Sequence, residues 1–293
     1  MNTLTPEPEC RLCGSTALEP VFRVQGYEIV RCPACGLVEV AGLPEHRADD
    51  LYSDAYFTHA KYRDLRTLRH ENRRRLRLLE RFLQPGAAIL EIGCGTGDFL
   101  HYSKHAFQVS GFDLSDYAAR IAREQNPDVA DRIWSGALEQ QTAGAAGFDA
   151  LCCWDVLEHL WDPRAAGRQM LSFLKPGGYV FLSTPNRSAL FARVSGRYWP
   201  FMTPPEHVCF FGKHSMRYFT VNILHGSIEH RKSWGKWANV GFIVYKLRRT
   251  APALVPGWLD RLFSRRGLNR LTVYVPTQDI QYVAIRLDRG EQT

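Results

Sequence analysis

Glu91, Gly93, Gly95, Gly97 and Asp113 are the residues of this 293-residue sequence whose types and spacing most directly specify chemistry. An apolar run, Ile89-Leu90-Glu91-Ile92, passes into Gly93-Cys94-Gly95-Thr96-Gly97 and then into Asp98-Phe99-Leu100, the pattern of a strand, a glycine turn and a helix. Small residues in that turn let a ligand approach the backbone closely, and the helix start beyond it supplies N–H groups with no partner inside the helix. Turns of this kind also bind dinucleotides. Here a carboxylate, Glu91, stands two residues before the first glycine, where it suits a cationic ammonium and serves a pyrophosphate poorly. About twenty residues on, Val109-Ser110-Gly111-Phe112-Asp113-Leu114 reads as a second strand ending in an acid, the place where a carboxylate takes two ribose hydroxyls. The expected ligand is a nucleoside bearing an amino acid.

Two further stretches follow in order: Phe148-Asp149-Ala150-Leu151-Cys152-Cys153-Trp154-Asp155-Val156-Leu157-Glu158-His159-Leu160, and Leu174-Lys175-Pro176-Gly177-Gly178-Tyr179-Val180-Phe181-Leu182-Ser183-Thr184-Pro185-Asn186. With the glycine turn they make residues 85–186 resemble the class I S-adenosylmethionine (SAM) dependent methyltransferases. The resemblance implies SAM as the methyl donor, bound by Glu91, Gly93, Gly95, Gly97, Asp113 and Leu114, with Trp154 packed nearby. Asp155 and His159 follow the fourth core strand, at the edge where open α/β sheets bind ligands. Asp155 orients an acceptor hydroxyl, touches the methionyl end or caps the next helix; Glu158-His159 recurs in the family as a structural pair. The stretch Pro204-Pro205-Glu206-His207 resembles the P-E-H segment that many small-molecule methyltransferases of this type carry over the acceptor pocket. An imidazole at His207 is neutral enough near neutral pH to accept a proton, so His207 and Asp155 are the catalytic candidates, with a hydrogen-bonded structural histidine as the alternative. Tyr56 and Tyr62, ahead of the core, are either cofactor contacts from a cap or interface packing.

Cys10-Arg11-Leu12-Cys13-Gly14 and Cys32-Pro33-Ala34-Cys35-Gly36 are twin C-x-x-C-G knuckles. Each places two sulfurs on one side of a tight loop, and two such loops brought together by a hairpin match a tetrahedral Zn²⁺ site. Disulfides do not suit a chain with no export signal, and a redox dithiol would not need a twin. The expectation is one zinc on Cys10, Cys13, Cys32 and Cys35, closed to water and therefore structural, whose binding supplies the ribbon's folding energy. Cys94, Cys152, Cys153 and Cys209 are assigned no chemistry; Cys152 and Cys153 sit on a strand expected to be buried.

The elements that must position these groups follow from the pattern. Pro20–Val24 and Tyr27–Arg31 read as two short strands around Gln25-Gly26. Core strands are expected near 87–92, 108–113, 130–134, 148–154 and 178–184, alternating with helices on both faces of a Rossmann-like parallel sheet. The family resemblance adds a closing antiparallel hairpin, Ser227–Ser233 with Ile280–Leu287. The division expected is a zinc ribbon at 1–45, a helical cap or linker at 46–84, and the methyltransferase domain at 85–293, with an acceptor-side lid near 187–220 and an insertion near 234–275. Trp234, Trp237, Phe242, Trp258 and Phe263 of that insertion suit packing against the domain or a second subunit better than a membrane surface. Leu65, Leu68, Leu76, Leu79 and Leu83 form an apolar stripe at helical spacing, so the arginines among them, Arg63 to Arg81, are expected mostly on the opposite, solvated face, with one or two free to grip an anionic substrate.

Thirty-seven Lys and Arg against 30 Asp and Glu leave a formal charge of +7, which suits anionic or carrier-linked acceptors. There is no apolar run long enough for a bilayer span and no signal core at the start, so a cytoplasmic location is expected. The leading functional reading is a small-molecule methyltransferase acting on a hydroxyl of a sugar or other secondary metabolite. An N-terminal ribbon before this core also resembles sugar C-methyltransferases, which carry a further large C-terminal domain that this sequence has no room for. The runner-up is an RNA or protein modifier positioned by the ribbon, although the ribbon lacks an aromatic and basic stacking surface. A non-catalytic nucleic-acid module on the same fold is the third. Membrane and nucleic acid are the lesser partners, and a homodimer is compatible with all three readings.

Overall fold

The structure is a computed structural model and describes residues 9–43, 65–141, 147–241, 243–244 and 271–288. Its central sheet arises where the apolar runs are densest. Strands β4 (Ala88–Ile92), β5 (Gln108–Asp113), β6 (Ile133–Ser135), β7 (Phe148–Trp154) and β8 (Leu174–Pro185) are parallel, and β10 (Gly226–Asn239) and β11 (Thr272–Leu287) close one side as an antiparallel hairpin. The order across the sheet is β10-β11-β8-β7-β4-β5-β6. Alternation along β7 shows why it is central: Leu151 and Cys153 join the core on one face, Ala150, Cys152 and Trp154 the core on the other, all buried. A strand covered on both faces reads as a continuous apolar run.

Helix α1 (Leu65–Glu80) precedes the sheet, and α2 (Asp98–Ser103), α3 (Asp116–Gln125), α4 (Pro163–Phe173), α5 (Leu190–Ser195) and α6 (Lys213–Tyr218) follow in chain order. Local chemistry starts them: the Ser115 hydroxyl accepts from Ala118 N–H at the head of α3, and the Asp162 carboxylate accepts from Ala165 N–H ahead of Pro163 in α4. Capping of the helix after β7 therefore falls to Asp162 and not to Asp155.

The ribbon builds a second sheet from β1 (Glu19–Val24), β2 (Tyr27–Arg31), β3 (Val38–Val40) and, from far along the chain, β9 (Cys209–Phe210), in that order. Val38 pairs with Phe210 and Glu39 with Cys209. Leu12, Ile29, Leu37 and Val40 of the ribbon share one buried cluster with Leu151 and Leu182 of the large sheet and Trp199, Phe210 and Phe211 of the acceptor-side segment. Ribbon and core thus bury their apolar faces against one another.

Several expectations need correction. The strand expected at 130–134 is confined to 133–135, because Pro127 opens a 3₁₀ turn running to Arg132. The strand expected at 178–184 begins at Leu174, which pairs with Phe148. The closing hairpin is longer than 227–233 and 280–287: Trp237 pairs with Tyr274 and Asn239 with Thr272, so the described ends of the expected insertion are strand. Gly235 permits that continuation, since a Cβ there would lie 2.0 Å from the Val275 carbonyl oxygen. Phe242, Trp258 and Phe263, together with Tyr56 and Tyr62, lie outside the described residues. Helix α1 also departs from expectation, burying Glu71 and Asn72 with Leu78 and Leu79.

Candidate active site

Glu91 is the fourth residue of a buried strand, yet its side chain is carboxylate. It is 3% exposed, and among the described residues its Oε2 has no hydrogen-bond partner. Burial pushes its pKa well above the ordinary carboxylate range, with the nearby Arg75 guanidinium opposing. Uncompensated burial of this kind is costly, and a cationic ligand group would relieve it.

The turn after β4 adopts the conformations that its glycines allow. Gly95 has φ +53° and nothing within 4 Å of where a Cβ would stand, so its bare side faces open space; a Cβ on Gly97 would lie 2.7 Å from the Asn126 amide and 2.9 Å from Ala122, so this glycine lets α2 close on α3. Asp113, at the end of β5, accepts from Gly95 N–H at 2.8 Å and from Ser115 N–H at 2.9 Å. Burial raises its pKa while those two N–H groups lower it. Leu114, next in the chain, is 40% exposed, an apolar side chain at the mouth of the turn. The four parts would suit SAM: a buried carboxylate for an ammonium, a turn open at Gly95 for an extended chain, and an acid with an apolar neighbour for a nucleoside.

Trp154 ends β7, buried edge-on against Phe99, and its Nε1 has no partner among the described residues. Asp155 follows with φ +56°. One of its oxygens accepts from Arg75 Nη2 at 2.7 Å and the other from Ser183 Oγ at 2.9 Å. The guanidinium of Arg75 also lies 5.3 Å from the Trp154 ring centre. Arg75 is the residue that sequence reasoning missed: it sits on α1 among residues expected on a solvated face, and Glu71, which accepts from Tyr282 Oη of β11, shares its buried side. Arg75 lies four residues after Glu71 and four before Leu79, on one helical face; that spacing was the available signal.

His207 is brought to a different place. It is 9% exposed, and its Nδ1 lies 2.7 Å from the Phe201 carbonyl oxygen. Its ring meets His159 edge-on, 4.7 Å between centres, and Glu158 completes the group. Val208 N–H donates to the Glu158 carbonyl at 2.9 Å, tying the segment before β9 to the turn after β7. The structure therefore groups His207 with the Glu158-His159 pair, and Asp155 with Arg75 and Ser183.

The four ribbon cysteines converge as their spacing required, with ligand atoms within 4.8 Å of one another. Cys10 Sγ to Cys35 Sγ and Cys13 Sγ to Cys32 Sγ are both 3.5 Å, near the edge of a tetrahedron built from Zn–S bonds, about 3.8 Å. The hydrogen bond with Cys35 pulls the Cys10 thiol down, whereas burial pushes Cys13 up. All eight cysteines are free. Cys94, Cys152, Cys153 and Cys209 are buried and burial raises each thiol.

A family model described as a methyltransferase domain matches residues 47–218. The ubiquinone biosynthesis O-methyltransferase of Xanthomonas axonopodis pv. citri is 40% identical over 121 residues, covering 39% of this chain and 50% of that protein. Its namesake from Bordetella avium is 33% identical over 141 residues, 46% of this chain and 56% of that one. The chain thus spans about half the length of these curated relatives. Among solved structures, the YcgJ protein from Bacillus subtilis gives a TM-score of 0.53 at 15% identity, covering 75% of this chain and 100% of that one, and shows the same fold. No described helix is long and apolar enough to cross a membrane.

Proposed function

Because the chain belongs to the SAM-dependent methyltransferase family, we propose that it transfers a methyl group to a hydroxyl of a small-molecule acceptor, a sugar or other secondary metabolite. SAM, when bound, supplies a methyl already activated on a sulfonium, so the protein's task is chiefly to place an acceptor oxygen in line with it. Relatives named for O-methylation support the oxygen, and the net charge of +7 supports an anionic or carrier-linked acceptor.

The observation that carries this reading is that β4, β5 and β7 lie side by side and carry Glu91, Asp113 and Trp154-Asp155 at their ends. Glu91, Gly93, Gly95, Gly97, Asp113, Leu114 and Trp154 are the donor side of the proposal; Asp155, and His207 next to the Val208–Glu158 hydrogen bond, are its acceptor side. Asp155, held by Arg75 and Ser183, orients the acceptor. His207 is the group on which the acceptor's proton depends: its Nδ1 is anchored on a carbonyl, which can only accept, so a neutral ring keeps its lone pair at Nε2. General-base assistance is worth about 10²- to 10⁴-fold.

Incubating the protein with SAM and candidate metabolites, and reading by mass spectrometry the gain of one CH₂ on a hydroxyl, tests the reaction. His207→Ala should lower turnover by about 10²-fold or more while SAM affinity stays within twofold. A larger defect in Asp155→Asn, with His207→Ala near wild type, would transfer the proton's fate to Asp155. Methyl gain on carbon, RNA or protein would replace the reading.

The ribbon belongs to the same proposal as one structural zinc on Cys10, Cys13, Cys32 and Cys35, whose closed thiolate set leaves no position for water.

A further inference from the structure

Beside the glycine turn, α1 and α2 pack against each other and leave a recess of about 670 Å³ between them, a size in the range of small-molecule sites, about 300–1,000 Å³. Leu68, Arg69 and Arg73 of α1 line one side; Asp98, His101 and Tyr102 of α2, with His105 just beyond it and Gln125 at the end of α3, line the other. The recess reaches the turn at Asp98, which directly follows Gly97. None of these residues belongs to the donor or acceptor side of the methyl-transfer proposal, so the recess stands apart from it.

The charge of its lining is one-sided. Arg69 and Arg73 are four residues apart on α1 and therefore share a helical face. The rings of His101 and His105 meet edge-on, 6.4 Å between centres. All four side chains are exposed, so a ligand reaches them from solvent. Arg74, Arg75 and Arg81 of the same run are engaged by Glu71, Asp155 and the His230 ring; among the described residues Arg69 and Arg73 have no hydrogen-bond or ion-pair partner. The acid of the lining is already occupied, Asp98 Oδ2 accepting from Thr96 Oγ1 at 2.7 Å. Asp128, close enough to attract His105, is held by Lys104 Nζ at 2.6 Å. Like charges at this helical spacing with no counterion destabilise the free protein, and an anion in the recess relieves that repulsion.

The donor set selects the anion. A guanidinium is a planar fork of N–H donors that keeps its charge, and the imidazoles, the Tyr102 hydroxyl and the Gln125 amide add single donors around it. Donors on both walls need an acceptor with oxygens pointing in several directions; a phosphoryl group presents three, a carboxylate two in one plane. We propose that the recess between α1 and α2 binds a phosphoryl group, with Arg69 and Arg73 as its principal contacts. The group is a free phosphate or the phosphate of a larger molecule of the nucleoside diphosphate kind.

Calorimetry on the full-length protein at low salt, with inorganic pyrophosphate as the probe, tests the assignment. Wild type should take up one equivalent saturably, and Arg69→Gln and Arg73→Gln should each weaken binding about tenfold, the loss of one charge-assisted hydrogen bond. Arg77→Gln removes the same charge from an exposed position of the same helix that does not line the recess, and should leave the affinity within twofold. SAM affinity, unchanged in all three, verifies that each variant is folded. UDP titrated alongside distinguishes the sources: UDP bound tighter than pyrophosphate, and lost in the same two variants, assigns the phosphate to a nucleotide-linked molecule, and UDP bound no tighter assigns it to free phosphate; both keep the site. No saturable uptake by wild type, an equal loss in Arg77→Gln, or succinate bound as tightly as pyrophosphate would overturn the proposal. Methyl gain on a hydroxyl without pyrophosphate binding removes the recess and keeps the reaction, and the converse result keeps the recess and removes the reaction.

Discussion

Glu91 is kept where a carboxylate is least stable, and its consequences are measurable. Burial raises its pKa, so in the cofactor-free protein it holds a proton through and above the ordinary carboxylate range. The proposed pairing with the SAM ammonium requires the carboxylate, so SAM binding should expel that proton. Affinity should therefore fall as pH drops through the raised value, by up to about tenfold per pH unit. Calorimetry in two buffers of different ionisation enthalpy should show proton release in wild type and none in Glu91→Gln. The same shift acts on folding with the opposite use of pH: the folded chain holds a proton that the unfolded chain releases, so this group's contribution declines as pH rises from the ordinary value toward the raised one. Asp113 is read differently. Asp113→Ala should cost roughly 1.5–3 kcal/mol of SAM binding, the range for hydrogen bonds to a charged group, and unchanged affinity in a titration would remove it from the ribose site.

Helix α1 is the element that departs furthest from its sequence pattern. Its leucines announced an apolar stripe, but the face it lays over the site carries Glu71, Asn72 and Arg75, and Arg75 ends on Asp155 at 2.7 Å. Arg75→Met should destabilise the protein by about 1–3 kcal/mol in a denaturant titration, less than for a fully buried pair because the Asp155 side chain remains 37% exposed. It should also release Asp155 and raise KM for the acceptor more than that for SAM. The strands β4, β5 and β7 were legible because a strand buried on both faces needs only an apolar run and a glycine or acid at its end. Arg75 was not, since its partner lies eighty residues away and its spacing to Glu71 and Leu79 marks a shared face without marking that face as buried. The hairpin's extra length escaped for a related reason: Gly235 and the register shift between Trp234 and Lys236 interrupt the alternation that identifies a strand. Glu158 and His159 were visible as residues, but their meeting with His207 depends on the fold of the lid.

At the scale of the whole molecule, the ribbon and residues 208–210 are one unit. Arg11 of the first knuckle lies 3.6 Å over the Trp161 ring and donates to the Trp161 carbonyl at 3.4 Å. Val40 N–H donates to Val208 at 3.0 Å, and Val208 N–H in turn to Glu158 at 2.9 Å. Stripping the zinc proposed for the four cysteines with a strong chelator should therefore speed hydrogen exchange at residues 37–41 and 206–211 while β4, β5 and β7 stay protected and SAM still binds. Protection lost across the large sheet as well would mean that the ribbon holds the whole fold together.

The strand that completes the ribbon's sheet also fixes an order of events during synthesis. Val38 waits for Phe210, about 170 residues later, which at ordinary translation rates is on the order of ten to thirty seconds. For that interval the edge of β3 is an open row of backbone donors and acceptors, the kind of edge other chains can join. The ribbon's first three strands are thus made long before the strand that finishes their sheet. Grafting it onto another enzyme without residues 204–211 would carry that unfinished edge along with it.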